Sequence, residues 1–148
     1  MMLQFGTARP SLNYRHRHAC FGLALKDGLL ACVRVDRGEG SYYDLPGGAV
    51  DGDESEQQAL VREFGEETGL RVQPLDRLTE AAQYFCKSNG EPINNSGGYW
   101  LVSLEGFDTD LKCEADHELV WLEPSFAMAH LRHEAHAWAV THWLRSQV

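Results

Sequence analysis

Apolar positions along the chain fall into blocks whose period switches between two and roughly four. His18 to Leu25 and Leu29 to Val35 are largely apolar runs on either side of Lys26-Asp27-Gly28, which predicts a β-hairpin. After a polar loop from Asp36 to Gly40, the aromatic run Ser41 to Leu45 predicts another strand, and Pro46-Gly47-Gly48 predicts a break in regular structure. From Ser55 the pattern turns helical. Ser55 and Gln58 form a capping-box signature, and the helix should close at Thr68, with Gly69 as its left-handed stop and Leu70 folding back. Leu78 to Cys86 and Gly98 to Phe107 read as strands joined by the turn-rich loop SNGEPINNSGG, and Leu119 to Leu122 as a short strand. Pro124 to Leu131 and His133 to Leu144 read as closing helices, and residues 1 to about 13 as a loose lead-in. Strands on both sides of a central helix predict an α+β protein, an α/β/α sandwich around a mixed sheet.

The chain of 148 residues suits a single domain spanning residues 1–148. A domain of this size buries roughly 70% of the surface its unfolded chain exposes, so it needs no covalent staple. Cys20, Cys32, Cys86 and Cys113 show no CxxC spacing, which argues against a zinc framework or disulfide scaffold and for small apolar residues kept reduced. The N-terminus lacks the apolar core of a signal peptide, and no run approaches the ~20 apolar residues that span a bilayer. A cytoplasmic protein without a membrane partner is expected. The net charge of −9 excludes a general binder of nucleic-acid polymers, which needs a basic face. It does not exclude a phosphorylated substrate, because a bound divalent cation inverts the local field.

The acids are not evenly spread. On a helical wheel over the segment after Ser55, Glu63 and Glu67 lie within about 40° of each other, with Glu56 between them and Glu66 flanking. Leu60, Val61 and Phe64 occupy the neighbouring arc, with Arg62 and Gln58 beyond. Solvated like charges on a helix cost only about 0.2–0.5 kcal/mol per pair, whereas two charges 4 Å apart at an effective dielectric near 20 repel by about 4 kcal/mol. An acidic stripe is therefore harmless in water and costly in a cleft without a counter-ion.

The order of residues around this stripe is more specific. Gly48, Glu54, Arg62-Glu63, apolar Phe64, Glu66-Glu67, Gly69 and apolar Leu70 fill every defined position of the Nudix box, so the segment resembles the Nudix hydrolases. Tyr43-Asp44-Leu45-Pro46-Gly47-Gly48 is similar to the entry that often precedes that box, and Val120-Trp121-Leu122 fits the family order. The departures are Asp51 and Asp53, outside the defining pattern. The resemblance implies the Nudix fold and a hydrolase that cleaves the diphosphate linkage of a nucleoside diphosphate joined to another moiety. It implies Mg2+ or Mn2+ as cofactor, with Glu63, Glu67 and the Gly47 carbonyl as ligands and Glu66 as a ligand or a base acting through water. Gly48 would leave room for the approach of metal and phosphate. Arg62 would hold the carboxylates, through Glu54 among others. The cation would neutralise transition-state charge and lower the pKa of a bound water.

In several relatives the proton acceptor precedes the late Trp. Here Glu114 is the first choice, Asp116 the second, and Glu118, closer to Trp121, the third. His117 in the same loop could bind substrate or act as base, although a lone loop histidine is more often neither. Arg34 is a candidate phosphate contact, and Arg15-His16-Arg17-His18 forms a local positive patch that could meet substrate phosphate, although a solvated strand entry is the plainer reading. His133 and His136 invite a metal reading, but Glu134 completes no HExxH motif and no third ligand is evident, so a helix packing Trp138 is the plainer reading. The substrate stays open as a small nucleotide. About fifteen residues past the Gly69 of the box, where a proline would point to ADP-ribose, stands Tyr84, and Cys86-Lys87 stand where a tyrosine would point to dinucleoside polyphosphates. Oligomeric state is also open, with a homodimer as one arrangement because many relatives are dimers. The competing function is a catalytically silent Nudix-like nucleotide-binding regulator, which would typically have lost one of the box glutamates. A third, isopentenyl-diphosphate isomerase chemistry, has no supporting cysteine pattern.

Overall fold

The computed structural model describes residues 2–147, and its elements come in an order that sandwiches one helix between strands. They are β1 (Leu3–Phe5), β2 (Arg15–Lys26), β3 (Leu29–Asp36), β4 (Ser41–Asp44), β5 (Gly47–Ala49), α1 (Glu56–Thr68), β6 (Leu70–Cys86), β7 (Pro92–Phe107), β8 (His117–Leu122), α2 (Pro124–His130) and α3 (Glu134–Ser146). The strands run in the order β1-β6-β7-β2-β3-β4, with β5 also paired to β2 and β8 to β3. β1 with β6 and β2 with β7 are parallel, and the other pairs are antiparallel, so the sheet is mixed as expected.

Each face of the sheet has its own core. Leu60 and Phe64 of α1 pack with Cys20, Ala24, Trp100 and Val102 on one side. On the other, Ala135, Ala139 and Val140 of α3 and Ala127 of α2 pack against Phe21, Leu23, Cys32 and Tyr99. Burying each large apolar side chain contributes roughly 1.5–3 kcal/mol. Val61, assigned by the wheel to the core arc, is instead 46% exposed, because the arc facing the sheet stops at Leu60 and Phe64. Cys20 and Cys32 are buried and all four cysteines are free. Among the described residues, no helix is long and apolar enough to cross a membrane.

The helix boundaries agree with the sequence signals. Ser55 accepts from the Gln58 N–H at 3.1 Å, and the Gln58 side chain accepts from the Ser55 N–H at 2.9 Å. Gly69, at φ 79°, closes α1 with its N–H on the Gly65 carbonyl at 2.9 Å. The strands differ more. Leu3–Phe5, expected to be loose, pairs with Ala81–Gln83, and Phe5 packs on Trp138 with ring centroids 5.8 Å apart. Three residues are too few to display an alternation. Gly47–Ala49, expected as a break, pairs with Ala19–Phe21. β6 begins directly after Gly69, because register shifts around Pro74–Arg77 interrupt its pattern without ending it. β7 takes up half of the expected loop. Asn94 and Asn95, poor strand formers, are held there by pairing with β6 and β2 on both sides and by side-chain bonds to Gln4 and Arg17.

Candidate active site

Pairing of β5 with β2 sets an elbow directly over the middle of α1. Gly47 has φ 143°, and a Cβ there would overlap the Cys20 carbonyl oxygen and lie 2.7 Å from Phe21 Cα, so the strand cannot approach β2 with any other residue. A Cβ on Gly48 would lie 3.0 Å from the carboxyl carbon of Glu63. The two glycines thus bring backbone against backbone on one side and against a carboxylate on the other.

The α1 carboxylates divide between two settings. Glu63 and Glu67 line a cleft of about 280 Å3 together with Gly47, Gly48 and Glu114. Burial, reinforced by the charge of Glu67, raises the Glu63 pKa to about 7 against the pull of Arg62. Burial also raises that of Glu67, opposed by hydrogen bonds from His117 and from the Gly47 N–H, which reaches Glu67 Oε1 at 2.9 Å. Glu66 turns towards Cys113 and Glu114, and its backbone carbonyl accepts from both of their N–H groups. Glu56, on the same stripe two turns earlier, leaves the site altogether. It bonds His18 (2.6 Å), Trp100 Nε1 (2.8 Å), Arg77 (3.2 Å) and the Gly98 N–H (3.1 Å), tying α1 to the sheet.

Arg62 gathers the acids. Nε and Nη2 fork onto Glu54 at 2.8 and 2.9 Å, Nη1 reaches Glu63 at 3.0 Å and Glu66 at 3.3 Å, and Nη2 also reaches the Ala49 carbonyl at 3.0 Å. That fork holds Glu54 near pKa 2. His117, on β8 rather than in a loop, bridges Glu67 (3.3 Å) and Asp116 (2.8 Å), and the bond to Glu67 is the main reason its pKa rises to about 9.

Strand register sorts the remaining candidates. Arg34 pairs with Tyr43 on one side and Glu118 on the other, so these three share a face, and it is the face opposite the one carrying Tyr42, Asp44 and His117. Arg34 as phosphate contact and Glu118 as base are therefore corrected: neither lines the cleft. Asp116 is engaged by His117 and Arg37, and the His117 bond lowers its pKa, which makes it a tether more than a proton acceptor. Glu114 lines the cleft, close to Asp116 and His117 on one side and to Glu66 and Cys113 on the other.

Of the basic side of the cleft the sequence pointed only to the patch that contains Arg17. Arg17, Arg37, Lys87 and Arg132 line that side, with Tyr42 and Phe85. Of the patch from Arg15 to His18 only Arg17 faces inward; Arg15 bonds Glu91, His16 bonds Ser96 and His18 bonds Glu56. Arg132 forks onto Asp44 at 2.8 and 3.3 Å and lies 3.9 Å from the Tyr42 ring centroid. The positive patch marked Arg17, and an alternation of two along β2 was the signal that could have separated it from its neighbours. Arg132 carried none, since Asp44 lies 88 residues away.

A glycine elbow over paired buried carboxylates, a fork-holding arginine and a cationic opposite wall form a site for a phosphorylated ligand with a cation. Residues 15–144 match the NUDIX domain family. The chain belongs to the NUDIX family. Membership carries the class of chemistry, a hydrolase acting on phosphoric anhydride bonds, in a family that generally uses a divalent metal. A NUDIX relative described as a MutT-like protein from Streptomyces ambofaciens is 41% identical over 88 residues, covering 53% of this chain and 55% of that protein. The chain thus spans about half the length of that relative. An RNA pyrophosphohydrolase from Erythrobacter litoralis is 29% identical over 131 residues, 76% of this chain and 78% of that one. The NUDIX hydrolase structure from Nitrosomonas europaea superposes with a TM-score of 0.73 at 20% identity, covering 89% of this chain and 90% of that one, a likeness of fold.

Proposed function

We propose that this NUDIX chain cleaves the diphosphate linkage of a small nucleotide, releasing a nucleoside monophosphate and a phosphorylated remainder, with Mg2+ or Mn2+ as cofactor. The observation that carries the reading is the pair Glu63 and Glu67, two carboxylates pressed into one cleft by α1 and raised in pKa by burial. Arg62 and His117 pull against that rise without cancelling it, so the pair favours a further counter-cation, and an all-oxygen donor set suits a hard divalent ion. Glu63 and Glu67 would hold it, with Glu66 and the Gly47 carbonyl completing the protein ligands. The bound cation would supply positive charge against the phosphate oxygens as the transition state forms.

The remaining work falls to the chain's own groups. Arg62, fixed by Glu54, orients Glu63 and Glu66. His117 and the Gly47 N–H fix Glu67. Gly48 leaves the space in front of Glu63 open to a phosphate. Glu114 takes the proton of the attacking water, and Glu66, beside it, could do so through a second water. Arg17, Arg37 and Arg132 contact the phosphates and the remainder of the substrate. The four free cysteines suit a reducing compartment, the cytoplasm.

The test is a panel of nucleoside triphosphates, nucleotide sugars, ADP-ribose, dinucleoside polyphosphates and 5′-triphosphorylated RNA, each with magnesium and with chelator. Cation-dependent release of a monophosphate from at least one small nucleotide is expected. Tight nucleotide binding without turnover of any compound would replace the hydrolase by the silent regulator.

A further inference from the structure

His133 and His136 were left without a third ligand by the sequence, and the fold provides one. Asp44, on β4, converges with both histidines so that one ligand atom from each lies within 4.8 Å of the others. The three residues sit where the start of α3 meets the end of β4, with Asp44 and His133 lining the far side of the cleft that holds Glu63 and Glu67, next to Arg132. None of them belongs to the α1 carboxylate set.

A second observation marks the cluster as a site. His136 is 1% exposed, and its Nε2 is a buried polar atom with no hydrogen-bond partner. Buried polar nitrogens are nearly always partnered, so an orphan calls for a physical account. Its nearest opposite group is Asp44 Oδ1 at 3.8 Å, too long for a hydrogen bond. That separation is close to the ~3.3 Å edge of a tetrahedron whose ligands stand about 2.0–2.1 Å from a zinc-sized ion. The other nitrogen, Nδ1, is 2.8 Å from the Tyr99 hydroxyl. When Nδ1–H donates to the Tyr99 oxygen, Nε2 presents a bare lone pair, the arrangement by which an outer partner fixes a ligating imidazole. Asp44 can serve as well. Arg132 holds Oδ2 at 2.8 Å and reaches Oδ1 only at 3.3 Å, leaving Oδ1 as the looser oxygen.

We propose that Asp44, His133 and His136 form a second cation site, selective for a zinc-class divalent ion and separate from the carboxylate site on α1. Two imidazoles and one carboxylate favour zinc, cobalt or nickel over magnesium, which prefers oxygen ligands and retains its waters. An ion there would cross-link the first turn of α3 to β4 and add positive charge beside the wall that carries Arg132. The site goes beyond the hydrolase reading and does not require it.

The experiment uses the full chain, stripped with chelator and then kept in excess magnesium to fill the carboxylate site, with Cys113→Ser to remove the exposed thiol near Glu66 and Glu114. Cobalt is titrated while visible ligand-field absorption and the melting temperature are followed, and zinc is added as competitor. One equivalent of cobalt with strong visible absorption, displaced by zinc and accompanied by a higher melting temperature, is expected. His136→Asn should weaken uptake by at least about tenfold while magnesium binding persists. His133→Gln supplies the same comparison if His136→Asn does not fold. Absence of cobalt uptake overturns the proposal. So does uptake that is unchanged in whichever of these variants folds, or uptake that disappears with Cys113→Ser alone.

Discussion

The α-carbon of Gly48 faces the carboxylate of Glu63 so closely that a methyl group there would stand 3.0 Å from its carbon and from Oε1. Gly48→Ala should therefore push Glu63 off its position without disturbing the sheet. The expected result is a fall in kcat of about tenfold or more, the scale on which loss of ligand orientation acts, with an almost unchanged melting temperature. Gly47→Ala meets the β2 backbone and a φ of 143°, so it should lose stability instead, by about 1–3 kcal/mol in denaturant titration. Equal effects of the two substitutions would contradict this division.

Glu67→Gln removes one oxygen anion from the proposed cation site while keeping the shape of the side chain and its acceptor for the Gly47 N–H. Turnover at saturating magnesium should drop at least ~100-fold, and calorimetry should register weaker magnesium uptake. An unimpaired variant would reassign the role.

The fork of Arg62 onto Glu54 should matter more than its charge. Arg62→Lys keeps the cation but cannot reach Glu54, Glu63 and Ala49 together. About a tenfold to hundredfold loss in kcat is expected, with KM little changed, because the affected groups orient the carboxylates and do not hold the substrate's remainder.

Arg34, on β3, and Arg37, in the loop that follows it, are three residues apart, and of the two Arg37 lines the cleft. Arg37→Ala should raise KM by about tenfold, the worth of one charge-assisted hydrogen bond of roughly 1.5 kcal/mol. Arg34→Ala, on the far face, should leave kinetics unchanged. A steady-state comparison of the two variants is decisive.

His136 is held neutral inside the fold because burial drives its pKa well below the ordinary value. A depressed histidine pKa contributes stability that is full above about pH 6.5, the unfolded value, and is lost as pH falls beneath it. The slope for one such group is about 1.4 kcal/mol per pH unit. Glu63 and Asp44, raised to about 7 and 6, act in the opposite sense, since the folded chain takes up their protons first. The difference between wild type and His136→Phe isolates the histidine. In chelator, the variant should show the shallower acid loss of stability between pH 6.5 and 5, and parallel curves would refute the assignment.

How much was legible depended on whether partners lie close in sequence. Arg62, Glu63, Glu66, Glu67 and Gly48 sit within two turns of a helix and its leading loop, so spacing carries the acidic stripe and the resemblance to the Nudix box implies the rest. The caps Ser55 and Gly69 were legible for the same reason. The basic wall was not, because Arg17, Arg37 and Arg132 reach the cleft from β2, from the loop after β3 and from the residue before α3's cap. Arg34 was misplaced because a run apolar on both faces of β3 hides which face points to the cleft. The first part of β7, before Gly98, was hidden by its own asparagines, whose turn preference is overridden only once β2 and β6 are in place.

The same asymmetry bears on how such a protein can diversify. The acidic wall is a single continuous stretch that must be inherited whole, since Gly47 bonds Glu67 while Arg62 ties Ala49, Glu54, Glu63 and Glu66 together. The cationic wall is a patchwork contributed by four separate segments, which carry Arg17, Arg37, Lys87 and Arg132, each held by its own partner. Exchanging one of those segments would leave the others standing, so preference for a particular leaving group can drift while the cutting apparatus stays intact.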